Sequence, residues 1–236
     1  MTRIADRLPP LLRRRARIGR RALMPFLRSD RGSVAVEFVV LVPLMLLVML
    51  GFSEVYLYMR AVSLVEHTAF TLADSLGQMS SVVNDSGTTS SNSLGSIWNA
   101  AAMIAAPNNL KTQGGVYVTS ICDKTINLCS GSSPSNIVNS PSAPTMAAGT
   151  PLLFWQRSAP WTLSGMKSKE TTGNLLPTTW PFRNGDSAIV IEVFYSYTPF
   201  SMTLPFWTNA PGTQIIYERV YVRPRSGSAL SLVAAS

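Results

Sequence analysis

Two residues near the start of the longest apolar run could do chemistry by their spacing: Gly32 and Glu37, in Arg31-Gly32-Ser33-Val34-Ala35-Val36-Glu37-Phe38. If the chain were cut after Gly32, the new amine on Ser33 would lie one helical turn from the Glu37 carboxylate, within reach of an ion pair inside one subunit or between two. A carboxylate in an apolar helix is unfavourable by up to about 3 kcal/mol at a bilayer centre, so something must compensate it. The plainer alternative is that Glu37 lies close to the membrane interface and reaches the headgroups.

Other chemistries find little material. The one histidine is His67, so a Ser-His-Asp or Cys-His arrangement has no partner elsewhere in the chain. Phosphate-cradling glycine loops and the Gly-x-Ser-x-Gly elbow are absent. Paired carboxylates could be drawn from Asp85, Asp123, Glu170, Asp186, Glu192 and Glu218, but no spacing singles out a pair. Two cysteines, Cys122 and Cys129, suit a local disulfide in an oxidising compartment better than two reduced thiols, and a structural zinc would need four ligands. No catalytic residue, cofactor or metal is expected, and the reading is of a protein that is not an enzyme.

The elements that must position Glu37 follow from charge and hydropathy. Of the net charge of +8, residues 1–32 hold the whole excess, with ten Arg against Asp6 and Asp30; residues 33–236 carry ten charges of each sign. Charge confined to one end is a topology signal and not a nucleic-acid groove, so no nucleic-acid partner and no small-molecule substrate are expected. From Val34 to Ser53 only Glu37 is charged, and twenty residues make about 30 Å of helix, enough to cross a bilayer, with Pro43, Gly51 and Ser53 inside or ending the span. The Arg cluster ahead of it places the N-terminus in the cytoplasm. A twin-arginine signal or a mitochondrial presequence are the competing readings of that leader.

Beyond the span, Val55, Tyr58, Val62, Val65, Ala69, Leu72, Leu76 and Met79 alternate at three and four residues, so the helix is expected to continue as an amphipathic stalk, 33–79 in all. The stripe serves either as packing for the protein's own domain or as a seam with other helices. Residues 80–92 read as a linker, Ser93 to Ala106 as a short helix stopped by Pro107, and Val116 to Ile121 as a strand. Residues 130–186 are Ser-, Pro- and Gly-rich and read as irregular loops pinned by Trp155, Trp161, Trp180 and Phe182. Ser187 to Thr198 and Gln214 to Arg223 read as closing strands. Their connection holds Phe200, Phe206 and Trp207, which either cap the sheet or form a contact patch. The expected organisation is a basic leader (1–32), a transmembrane and stalk helix (33–79) and an α+β outer domain with a small antiparallel sheet (80–236).

The Gly-x-x-x-x-Glu-Phe pattern after a basic leader, followed by Leu41-Val42-Pro43-Leu44 and Gly51-Phe52-Ser53-Glu54, resembles the TadE-like minor pseudopilins (TadE/TadF) of the tight-adherence (Flp) pilus. Ile191-Glu192-Val193-Phe194-Tyr195-Ser196-Tyr197-Thr198-Pro199-Phe200 and Val220-Tyr221-Val222-Arg223-Pro224-Arg225 are similar to the strand, Tyr-x-Tyr-Thr-Pro stretch and Arg-Pro ending of that family. The resemblance implies a pilin-like fold and cleavage of the Gly32-Ser33 bond by a prepilin peptidase. It also implies assembly through Glu37 and Phe38 with the major Flp pilin and other pseudopilins, on an inner-membrane platform driven by a secretion ATPase. The outer domain would then be periplasmic. A signal-anchored module that binds a glycan or a surface is the alternative reading.

Overall fold

The structure is a computed structural model that describes residues 30–124, 129, 147–200, 209 and 211–235, with the backbone alone for 30–35. The rest of the leader, most of residues 125–146 and the loop residues Phe206 and Trp207 lie outside the described residues. The chain divides into two units, Met1–Val55 and Tyr56–Ser236.

Helix α1, Asp30–Gly77, contributes to both units. In the first unit every large apolar side chain from Val36 to Leu50 is at least 36% exposed, and the most apolar 18-residue stretch has mean hydropathy 2.4 with none of it buried. A soluble protein rarely leaves so continuous an apolar surface uncovered. By length and composition this helix can cross a membrane. Helical backbone continues through Pro43, and the Ser53 hydroxyl donates to the Met49 carbonyl at 2.8 Å, the local bond by which serine is accommodated in an apolar helix.

The second unit is α+β. Its main sheet has the order β3-β2-β4-β5, built from β2 (Gly114–Asp123), β3 (Pro151–Ser158), β4 (Ser187–Tyr197) and β5 (Gln214–Val222), with every pairing antiparallel. β4 lies between β2 and β5 and alternates cleanly. Ile189, Ile191, Val193 and Tyr195 enter the main core, whereas Ala188 and Val190 enter a smaller cluster on the opposite face. The main core is completed by the second half of α1, where Ala61, Val65, Ala69, Leu72, Ala73 and Leu76 are at most 3% exposed. Helix α2 (Leu94–Ile104) adds Ile97, Trp98 and Ala101 to it. A short helix, α3 (Leu110–Gln113), inserts Leu110 just ahead of β2.

The α1 stripe packs on the protein's own domain from Val62 onward, where the selected Val65, Ala69, Leu72 and Leu76 are buried and Val62 and Met79 pack against the core, but its first two members do not. Val55 and Tyr58 are 52% and 43% exposed, while Ala61, Thr68 and Ala73 are buried. Small residues let the sheet approach closely, and a reading weighted by large apolar side chains passes over them. Two further expectations are corrected. Residues 80–92 are not only linker: β1 (Ser81–Asn84) pairs in parallel with β6 (Ser231–Ala234). Residues 130–186 are not only irregular, because β3 forms a sheet edge from Pro151, a position that proline tolerates.

A register shift at Ser120/Ile121 re-aims the β2–β3 pair. The Ser120 hydroxyl and the Trp155 indole N–H both donate to the Leu230 carbonyl, at 2.9 and 2.7 Å, and so fix the approach to β6. Helix α2 starts at Ser93, whose Oγ accepts from the Ser96 amide at 3.2 Å. One residue into it, Gly95 lies under the turn that precedes it: an added Cβ would sit 2.1 Å from the Ser86 carbonyl oxygen, whereas one at Gly173 would meet nothing within 4 Å. Gly95→Ala is therefore expected to cost about 1–3 kcal/mol in urea melts of the detergent-solubilised chain, and Gly173→Ala less than about 0.5 kcal/mol.

Candidate functional site

The Gly32-Ser33 bond lies in the first turn of α1, which begins at Asp30. Ser33 and Glu37 are four residues apart on continuous helix, about 6 Å of rise, so they share one face. An N-terminus created at Ser33 would place a free amine at the positive end of the helix dipole, the end at which a carboxylate one turn on is favourable. Glu37 and Phe38 are exposed, the phenyl ring by 68%. An added Cβ at Gly51 meets nothing within 4 Å, so packing within the chain does not demand a glycine there.

The residues that carry the second resemblance turn out to be fasteners. Tyr197 meets the Tyr58 ring of α1 edge-on at 5.6 Å. The Tyr195 hydroxyl donates to Gln113 at 3.1 Å, and the Thr198 and Thr213 hydroxyls lie 3.1 Å apart across the ends of β4 and β5. The Arg-Pro ending closes two seams. Arg223 pairs with Asp186 at 2.9 Å and donates to the Pro181 carbonyl, while the Arg225 amide caps the Gly77 carbonyl at 2.7 Å and its guanidinium reaches Asp74 at 2.6 Å. That last pair is exposed on both sides and contributes at most about 1 kcal/mol. Phe200 has φ of 59°, in the left-handed region. Its partners in the proposed contact loop, Phe206 and Trp207, are among the residues not described.

Cys122 and Cys129 are joined by a disulfide. Next to it, the buried Asp123 carboxylate accepts from the Thr150 amide at 2.7 Å and the Gly185 amide at 2.9 Å, which holds the segments before β3 and β4 together.

The sheet face turned away from α1 carries the one carboxylate pair that sequence spacing could not select, Glu170 and Glu192. Fully buried Glu192 accepts from the Lys169 amide (2.8 Å), the Tyr217 hydroxyl (2.9 Å) and the Ser168 hydroxyl. Glu170, 3% exposed, takes Arg219 at 2.8 Å and the Tyr221 hydroxyl at 2.9 Å on one oxygen, while the other has no partner among the described residues. Gln156 bridges Thr119 and Ser168, and Tyr117 donates to the Met166 carbonyl, so residues 166–170 are strapped across the sheet. Burial raises the Glu170 pKa above 4.5; Tyr221 and Arg219 oppose the rise and the Glu192 charge adds to it. Burial, with the neighbouring carboxylates, also pushes the Tyr217 and Tyr221 phenols up. The donors on Glu192 and on one oxygen of Glu170 make the cluster a brace that ties residues 168–170 to β4 and β5. Glu192 was marked in the sequence as the single charge of its strand, whereas nothing set Glu170 apart from the other carboxylates.

A single long apolar helix that also contributes to the core of a small α+β domain suggests a protein anchored in a membrane by one segment. Residues 32–74 match the family model described as TadE-like protein, so the match begins at Gly32 and covers the apolar helix and most of its buried stripe. No curated protein and no solved structure matches the chain.

The Glu170 shift has a sign that can be measured. In the unfolded chain Glu170 titrates near 4.5 and in the folded chain above it. The stability it contributes is therefore complete below 4.5 and is lost as pH rises through the folded value. Relative to wild type, Glu170→Gln should gain stability as pH is raised from about 4 to about 8 in urea melts. A difference that does not change with pH would contradict the assignment.

Proposed function

We propose that the protein is a non-enzymatic minor pseudopilin acting in assembly of a tight-adherence pilus. It inserts once in the inner membrane with its arginines in the cytoplasm and its outer domain in the periplasm, where the Cys122–Cys129 disulfide is stable. The observation that carries this reading is the family match, which starts at Gly32 and runs along the apolar helix. In this reading a prepilin peptidase cuts after Gly32. The Ser33 amine then pairs with Glu37 of the same or a neighbouring subunit, and the helix leaves lipid only when that charge is matched. The partners are the major pilin, other pseudopilins and the ATPase-driven platform. An anchored binding module is the second reading, favoured by an open groove on the second unit lined by Trp98 and Trp161.

N-terminal sequencing of the protein from membranes of a host that carries the peptidase tests the processing step: Ser33 is the expected first residue, and an intact Met1 would refute it. Glu37→Gln should leave membrane insertion unchanged and reduce surface pili, counted by electron microscopy, by about tenfold, the factor expected from losing one charge-assisted contact. Normal piliation in that variant would remove Glu37 from the mechanism.

A further inference from the structure

The second unit carries a groove of about 400 Å³ that assembly through the N-terminal helix does not use, within the size range of small-ligand sites. One wall is the turn between β1 and α2, with Asn84 and Asp85; the floor is Trp98 and Leu94. The far wall is the end of β3 and the residues just beyond it, with Arg157, Pro160 and Trp161, and Lys111 stands at the side. The first wall is rigidly built. The Gly95 amide bonds the Asp85 carbonyl at 2.8 Å, the Gly87 amide bonds the Asp85 carboxylate at 3.0 Å, and the Ser93 hydroxyl reaches the Gly87 carbonyl at 2.6 Å. A site held this way loses little entropy on binding.

Its chemistry is specific. Trp161 is half-buried, packing on the main core while still lining the groove, and Pro160 beside it is exposed, so both add apolar surface to the groove. Among the described residues no carboxylate pairs with Arg157 or Lys111. Arg157 is exposed and bonds only the carbonyl of its neighbour Gln156; Lys111 bonds only the Asn99 side chain, at 3.2 Å. The groove is thus lined by two cations and two indole side chains. It also offers acceptors, since Asp85 keeps one carboxylate oxygen beyond its bond to Gly87, and Asn84, Ser86 and Ser158 add amide and hydroxyl groups. An occupant must stack a flat, weakly apolar face, donate from hydroxyls and bring negative charge.

We propose that this groove binds an acidic saccharide, a pyranose chain bearing carboxylates. The C–H face of one ring lies on Trp161, its carboxylate meets Arg157 and Lys111, and its hydroxyls donate to Asp85 and Asn84. An acidic peptide such as an oligoglutamate would satisfy the two cations and could donate amides to Asp85, but it has no rigid C–H face to lie on Trp161. The site lies wholly on the second unit, so it stands or falls independently of whether the helix enters a filament.

Isothermal titration of the full chain in detergent micelles with tri-galacturonate tests this, with trigalactose and triglutamate as comparison ligands. Saturable binding to tri-galacturonate is expected, weakened at least about tenfold in trigalactose, which lacks the carboxylate, and in Arg157→Ala. Trp161→Ala should abolish binding and Trp161→Phe should retain part of it. Because Trp161 also packs on the core, the exposed Arg157 provides the variant that folding cannot confound. No saturable binding of tri-galacturonate, equal binding of triglutamate, or an undiminished Arg157→Ala would each overturn the proposal.

Discussion

The rest of the structure depends on the packing of one helical stripe, Ala61 to Leu76, against the sheet. This stripe commits the second half of α1 to the core of an α+β domain, where each large buried aliphatic side chain contributes about 1.5–3 kcal/mol. The same helix carries an equally apolar first half whose side chains from Val36 to Leu50 have no such surface to meet. A single element therefore works in two solvents, with small residues where the sheet comes close and branched or long ones where lipid would lie. Ala69 and Ala73 would be too small to anchor a helix in lipid by themselves, and they suit a close approach of helix and sheet.

With the helix committed, the domain still has to close around it, and this is achieved by contacts distant in sequence. β6 returns to β1, bringing together residues 151 apart, and the donors of Ser120 and Trp155 meet on one carbonyl just before it. Arg225 caps the end of α1, and Arg223 ties the strand before it to the loop that covers the other face. On that face Glu192 and Glu170 fix the strap over β4 and β5 from beneath. Removing one donor there would leave a buried carboxylate uncompensated, a larger penalty than the loss of the exposed Arg225–Asp74 pair.

The sequence showed its local features plainly and its distant ones hardly at all. The apolar run of α1, the Ser93 cap with Pro107 beyond α2, and the Ile/Val alternation of β4 and β5 each arise from neighbours within a few residues, and the structure has all of them. β1 and β6 are four residues each and pair in parallel only because the segment after α1 meets the last strand. β3 opens on a proline within a Ser- and Pro-rich stretch, so its signal is lost in the composition around it. Glu170 sits in a loop with nothing to mark it, and becomes legible only once β4 and β5 set Glu192 beside Arg219. At Glu37 the opposite holds: its spacing from Gly32 was evident, and its geometry adds only that the two lie on continuous helix.

The charge distribution connects these parts to the proposed assembly. Nine of the leader's ten arginines precede Asp30 in the sequence, and Arg31 lies in the first turn of α1, at the positive end of the helix dipole. Copies brought side by side with the leader attached would set like charge against like, a repulsion felt within about 8 Å at physiological ionic strength. From Ser33 onward the chain has ten charges of each sign, and identical helices can approach without net repulsion. Cleavage would then do more than release a topology signal. It would replace a repelling terminus with one amine that a carboxylate four residues along the same helix, or on the next one, is placed to accept.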